Sequence, residues 1–455
     1  MNELKMTLGR KVALGAGDFG FNLYWQMASI YLLYFYTDVV GLPPAIAGTI
    51  YMAALIWDAV LDPVMGLVAD RTRTRYGRYR PYLLFGGIPL ALAFAAMFVV
   101  PSGSGMAAVI FTATTHVIFR TIYAVLSIPY ASLFARVTRD ARIRADLTGF
   151  RMVFATLSAV LVAGATLPFV NGLATPDSPR RGWIILALGF GLLATAIFVL
   201  VAWATKGYDA SEEKETEPRR SGAEVVKSLL SNRALLIVLG AVMITSFSST
   251  LFGKNLLYYF KYVLDKPEIG SSALAFVALL AGLFVPFWTW IARRFGKRNA
   301  WLWGAIPGLL GLVSWHLIDG SSVPLLFGAL ALQAVSSSSF IVCFWSMLPD
   351  TVEYGEWRSG VRTESMVFGL ATLGQKMALG FGAGFLGLAL AHVGYVSNAH
   401  QTAETIEGIK QMMFWIPLAG GLITVTLIAF YPLSLKAHAK MVEEIAERNR
   451  ATPSG

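Results

Sequence analysis

IYMAALIWDAVLDPVMGLVAD, residues 50–70, places two carboxylates, Asp58 and Asp62, one helical turn apart inside an apolar run that begins near Pro44. An ionised carboxylate at bilayer depth costs about 3 kcal/mol on insertion scales and is tolerated when a cation or proton joins it. Two of them on one helix face therefore point to ion handling within a membrane. The alternative, a pair at a helix end wetted by lipid headgroups, conflicts with the apolar sequence on both sides.

The rest of the chain has the same character. Of 455 residues, 56% are hydrophobic and 14% charged, with a mean hydropathy of +0.60, which leaves no room for a soluble domain of ordinary size. Apolar segments of the roughly 20 residues needed to cross about 30 Å of hydrocarbon recur throughout. Twelve are expected: 13–40, 44–69, 81–100, 104–135, 146–172 and 181–205, then 234–262, 268–292, 299–318, 322–348, 362–396 and 410–435. Lipid offers the backbone no hydrogen-bond partner and the period-2 alternation of a barrel is absent, so the fold class is all-α. No small-residue cleavage pattern follows MNELKMTLGRKVALGAG, so the first span is expected to stay in the membrane.

The net charge of +10 is unevenly spread. The turns after even-numbered spans, the middle loop and the two termini hold 28 of the 37 Lys and Arg, and the turns after odd-numbered spans hold five. The positive-inside rule then puts both termini and the middle loop in the cytoplasm of a multi-pass plasma (inner) membrane protein. The basic balance is topological, and no nucleic-acid partner is expected. The single cysteine, Cys343, lies in an apolar run and excludes disulfides and thiolate metal sites.

A polar stretch, 206–233, divides the chain into six-span bundles at 1–205 and 234–435, followed by a cytoplasmic tail, 436–455. Within the linker, Ala223–Leu230 has the character of a short surface helix. The halves echo each other: RYGRYRP around Gly77 and RRFGKRN around Gly296 lie 219 residues apart, and Arg144-Ala-Asp and Arg362-Thr-Glu lie 218 apart. A duplicated six-helix unit follows, the major facilitator architecture, in which substrate binds near the midplane between halves that rock about it. The basic turns Arg71–Arg80 are expected to serve as latches or as solvated charges. Glu353, Glu356 and Arg362 are expected to form a structural latch.

The strings GDFGFNLYWQ, YLLYFYTDVVGL, IWDAVLDPVMG, RYGRYRPYLLFG, SIPYASL and DTVEYGEWRSGVRTES carry a resemblance, from about residue 11 to 435, to the glycoside, pentoside and hexuronide cation symporter family. The chain looks most similar to the glucuronide and xyloside branch. The resemblance implies that Asp58 and Asp62 bind the coupling cation and would be the metal ligands if that ion is Na+. A carboxylate pair equally traps H+. A threonine that helps bind sodium in the melibiose carrier falls on Ala124, which strengthens the case for H+. Asp18 is implied as an acceptor for sugar hydroxyls, and the lysine that precedes it in the melibiose carrier is replaced by Gly17. Arg151 is implied to lie near the sugar, Tyr123 and Tyr130 to stack on it, and Lys376, four residues after Thr372 on one helix face, to link the sugar and cation sites. A lysine so deep in its span calls for a counter-charge, for which the second-helix aspartates are the candidates.

Departures from the melibiose pattern bear on substrate. Ser127 replaces the aspartate that grips galactosides and Ala131 replaces a stacking tryptophan, so one negative charge is lost while Arg151 and Lys376 stay. Uronides are thereby set slightly ahead of neutral pentosides. The function expected is a secondary active symporter importing a glycoside with Na+ or H+, working as a monomer in the lipid bilayer without a cofactor. A sodium-dependent lysophospholipid carrier is the alternative. No metal-ligand spacing or nucleophile motif supports an enzyme. Of the other intramembrane polar residues, Arg120, Lys254 and Gln333 can be satisfied by a helix end or neighbour, and His116 reads as a packed or gating residue.

Overall fold

The computed structural model of the chain describes residues 6–99, 101, 105–137, 141–175, 178, 180–207, 222–360 and 362–451. Residues 208–221 of the expected linker lie outside them. The first six helices are α1 (Leu8–Tyr34), α2 (Pro44–Arg71), α3 (Arg80–Ala96), α4 (Met106–Arg136), α5 (Ala141–Leu173) and α6 (Arg181–Ala204). After the short α7 (Gly222–Ser231) come α8 (Arg233–Tyr258), α9 (Pro267–Phe295), α10 (Lys297–Ile318), α11 (Val323–Ser359), α12 (Glu364–His392), α13 (Ala403–Ala429) and α14 (Leu435–Ala451). Ten of these are long and apolar enough to cross a membrane, and Arg80–Ala96 is a shorter apolar helix. With the 27-residue α1, which carries Asp18, Asn22 and Gln26, they make up the twelve expected spans. Among the described residues no strand forms, only isolated bridges at Thr74–Gly77 and Thr175–Ser178.

Gly77 and Gly296, the centres of the two basic turns, have φ of +106° and +91°, a region that side chains with a Cβ avoid. The helices also repeat their internal prolines. Proline lies inside α2 and α9 at Pro63 and Pro286, 223 residues apart. It recurs inside α3 and α10 at Pro89 and Pro307, 218 apart, and inside α4 and α11 at Pro129 and Pro349, 220 apart. Each removes an N–H and frees a carbonyl one turn earlier.

The chain forms two compact units. The first comprises residues 1–213 with 253–279 and 383–409. Here α1 packs on α5 and α6, α2 on α4, and α3 on both α4 and α6. At the far end of α1, Phe35–Val39 widens into a π turn, and Tyr259–Val263 does the same at the end of α8. The flanking sequences, LYFYTDV from Leu33 and LYYFKYV from Leu257, are alike. Asp38, on the first π turn, is buried and accepts from Lys261 Nζ at 2.7 Å, from Tyr395 OH at 2.7 Å, from Thr37 Oγ1 at 2.7 Å and from Tyr262 OH. Asn398 Nδ2 donates to its carbonyl at 2.6 Å. Burial, and then the Asp38 charge, push the Tyr395 hydroxyl far above its ordinary pKa, so it stays a donor.

The second unit comprises residues 214–252, 280–382 and 410–455. Its core gathers Trp288, Trp301, Phe344, Met347 and Ile428, with α10 packed along α11. Lys297, from the basic turn, donates to Asp350 Oδ1 at 2.6 Å and to the Ser346 carbonyl at 2.9 Å. Residues 435–451, expected only as a tail, form the helix α14 docked on the end of α11. His438 Nε2 lies 2.7 Å from Glu353 Oε2, and Trp357 Nε1 donates to Glu444 at 2.7 Å. Arg362 bonds Glu356 and Glu364, each at 2.9 Å. The acidic cluster thus divides its work: Glu356 holds Arg362, Glu353 holds the C-terminal helix, and Asp350 takes the basic turn.

Candidate functional site

The first unit brings together Asp18 on α1, Tyr130 on α4 and Arg151 on α5. Arg151 clasps Asp18 with two nitrogens, Nε to Oδ2 and Nη2 to Oδ1 at 3.0 Å, the fork geometry that fits a carboxylate. Tyr130 OH donates to the same carboxylate at 2.7 Å. The guanidinium lies 4.4 Å from the Phe134 ring centroid and 5.7 Å from that of Tyr130. Gly17 makes this possible, because a Cβ there would sit 2.6 Å from the Tyr130 ring. The Arg151 and Asp18 side chains keep relative exposures of 33% and 15%, so a hydroxyl-rich molecule can still reach them. The arrangement offers carboxylate acceptors, guanidinium donors and a phenol, the partners that vicinal hydroxyls require.

Tyr123 is buried among Phe21, Phe119 and Trp25, with ring centroids 5.7, 5.8 and 6.2 Å away. It belongs to an aromatic wall more than to an exposed stacking face. Ser127, one turn on, is half-buried. Trp25, half-buried, escaped the sequence reading as a site residue, as did Asn22 and Gln26. The signal was present: Asp18, Asn22 and Gln26 follow each other at helical spacing. Asn22 Nδ2 donates to the Asp18 carbonyl at 2.8 Å, and Gln26 Nε2 to Asn22 Oδ1 at 3.4 Å.

Asp58 is fully buried on α2, and Asp62, a turn later and just before Pro63, is half-buried. Arg120 of α4 brings Nη1 to 3.9 Å from Asp58 Oδ2, with relative exposures of 1% and 0% for the two side chains. Its Nε donates to His116 Nε2 at 3.3 Å, and its guanidinium lies 5.3 Å from the Trp25 centroid. His116 is fully buried against Tyr36 and Tyr51, as a packed residue. Lys254 donates to the Ser29 carbonyl and lies 4.1 Å from the Tyr51 centroid. Gln333, in the second unit, donates to the Gly308 carbonyl at 2.9 Å. Lys254 and Gln333 are thus satisfied by neighbouring carbonyls, whereas the two Nη groups of Arg120 and Nδ1 of His116 make no hydrogen bond among the described residues.

Thr372 and Lys376 belong to the second unit, on α12, both half-buried. Thr372 Oγ1 donates back to the Phe368 carbonyl at 2.9 Å, and the four-residue spacing puts the pair on one helix face.

Residues 13–435 match the model of a family described as MFS/sugar transport protein. The chain is 31% identical over 439 residues to the isoprimeverose transporter of Lactiplantibacillus pentosus, covering 95% of this chain and 90% of that protein. It is 29% identical over 443 residues to the glucuronide carrier protein homolog of Escherichia coli (strain K12), covering 96% and 95%. In fold it resembles a bacterial homolog of the human lysosomal transporter Spinster, with a TM-score of 0.68 at 12% identity, covering 96% of this chain and 99% of that one.

Proposed function

The chain belongs to the MFS/sugar transport protein family, a family of membrane transporters and not of enzymes, and we propose that it imports a glycoside by cation symport through alternating access. The substrate class is a pentoside or hexuronide and the coupling ion is Na+ or H+. Asp18, Tyr130 and Arg151 bind sugar hydroxyls, with Tyr123 and Ser127 beside them. Asp58 and Asp62 hold the cation, and Thr372 and Lys376 contribute from the second half. The two six-helix bundles, 1–205 and 234–435, move about this site as a monomer with both termini in the cytoplasm, and the repeated prolines and glycine turns support that division.

The observation that carries the reading is the Asp18–Arg151–Tyr130 cluster, held within a transmembrane unit that also bears a deep carboxylate pair. It also adjusts the substrate. Arg151 spends its charge on Asp18, so the positive surplus that favoured an anionic sugar shrinks, and a neutral pentoside moves ahead of a uronide.

Membrane vesicles carrying the protein test this with a labelled xyloside and a labelled glucuronide, under sodium and proton gradients imposed separately. Accumulation of at least one sugar under one gradient is expected, and Asp62→Asn is expected to abolish it. Uphill transport that survives Asp62→Asn would remove the coupling site. A lipid that accumulates in place of either sugar would support the lysophospholipid carrier.

A further inference from the structure

We propose that Arg120 is the resident counter-cation of Asp58 and makes this carrier insensitive to sodium. The inference rests on the symport reading above and deepens it, by assigning to a residue outside the expected site the choice between coupling ions.

Asp58 is the most buried carboxylate among the described residues, at 0% exposure. A buried carboxylate demands positive charge. In a sodium site that charge comes from the ion, which must replace its hydration shell with several oxygen ligands. Here Arg120 Nη1 already stands 3.9 Å from Asp58 Oδ2, and both side chains are closed off from solvent. The guanidinium is permanently charged. It is held in place by its Nε–H bond to His116 Nε2 and by the Trp25 face. The acceptor role of Nε2 requires a neutral imidazole, so His116 adds no charge. One turn along α4, on the face that carries Arg120, Ala124 is fully buried and offers a methyl group with no oxygen. A sodium ion entering beside Asp58 would meet a fixed positive charge and a ligand-poor wall.

The π turn after α1 brings Tyr36 to this pair, α2 brings Tyr51, α4 brings His116 and Tyr123, and α8 brings Lys254, with Asp18 of α1 and Asp62 of α2 acting on Tyr123. Lys254 is a second basic side chain in the neighbourhood, and it too is buried. Of the two coupling ions, the proton is the one that needs no coordination shell.

The test is thermal unfolding of the purified full chain in NaCl and in KCl at equal ionic strength, since an ion bound to the native state raises the midpoint by mass action. The wild-type protein is expected to unfold at the same temperature in both salts, within about 1 °C. Arg120→Gln removes the guanidinium beside Asp58 and is expected to gain a sodium-specific rise of several degrees, whereas Arg120→Lys keeps the wild-type indifference. A sodium-specific rise in the wild type, or none in Arg120→Gln, overturns the proposal. If Arg120→Gln fails to assemble in the membrane, the neutral pair Arg120→Gln with Asp58→Asn is expected to recover folded protein, and a failure to recover it also overturns the proposal. These readouts need no sugar. Vesicles that accumulate no glycoside would sink the symport reading while the salt comparison still decides the role of Arg120.

Discussion

At the scale of single residues, the site depends on small groups in places where a larger one would be ruinous. Gly17→Ala would set a methyl group 2.6 Å from the Tyr130 ring, and that phenol would have to leave Asp18. A several-fold rise in KM for sugar uptake is expected, measured in vesicles, with the expression level unchanged. Asp18→Asn removes the charge that Arg151 grips and halves the acceptors offered to hydroxyls. Hydrogen bonds to charged groups contribute about 1.5–3 kcal/mol, so kcat/KM for a neutral glycoside is expected to fall by about 10- to 100-fold. The released guanidinium should at the same time improve competition by a glucuronide. If both sugars lose equally, Arg151 is not the group that decides substrate charge. Asp18 and Arg151 were singled out in the sequence by the family resemblance, and as charged groups at bilayer depth they also stand out against an apolar background; that they meet Tyr130 in one cluster was not legible. Nor was the approach of Arg120 to Asp58 from α4, because nothing in the spacing of either helix announces that two faces meet.

At the scale of elements, hydropathy located the helices well because each must satisfy its backbone internally, and the two basic turns declared their glycines through the φ they need. The π turns were invisible. Their sequences continue the helical pattern, and the widened turn exists where Asp38 meets donors more than 200 residues away. For the same reason nothing in the sequence singled out Asp38. Asp38→Asn leaves the half-buried Lys261 without its anion, a loss below the about 3–5 kcal/mol of a broken, fully buried pair. Hydrogen exchange should then quicken at residues 35–40 and also at 259–263, on the other π turn. A response confined to 35–40 would show that the two turns do not hold one another. At the other end of the chain, α14 was legible only as a charged tail, because its apolar face finds a surface only after α11 has folded.

At the scale of the whole molecule, the paired prolines, glycine turns and π turns argue for one six-helix unit used twice, yet compactness does not follow that boundary. The first unit borrows residues 253–279 and 383–409 from the second half of the sequence, and they supply Lys261, Tyr262, Tyr395 and Asn398 to Asp38. A duplicated sequence need not fold as two independent domains, because the ends of one copy's helices can complete the other. The consequence is testable by cutting the chain in the polar linker after Glu213. Expressed alone, residues 1–213 keep the Asp18–Arg151–Tyr130 cluster but leave Asp38 buried without most of its donors, so this fragment is expected to be degraded or to aggregate. Co-expressed with residues 214–455, it should recover stable membrane insertion and a measurable fraction of glycoside uptake, since the second fragment brings back residues 253–279 and 383–409. Detection of fluorescent-protein tags in the cytoplasm at the cut ends would at the same time support the proposed orientation. A stable, folded first fragment on its own would show that the borrowed segments are dispensable, and that the two halves of the sequence are the true folding units.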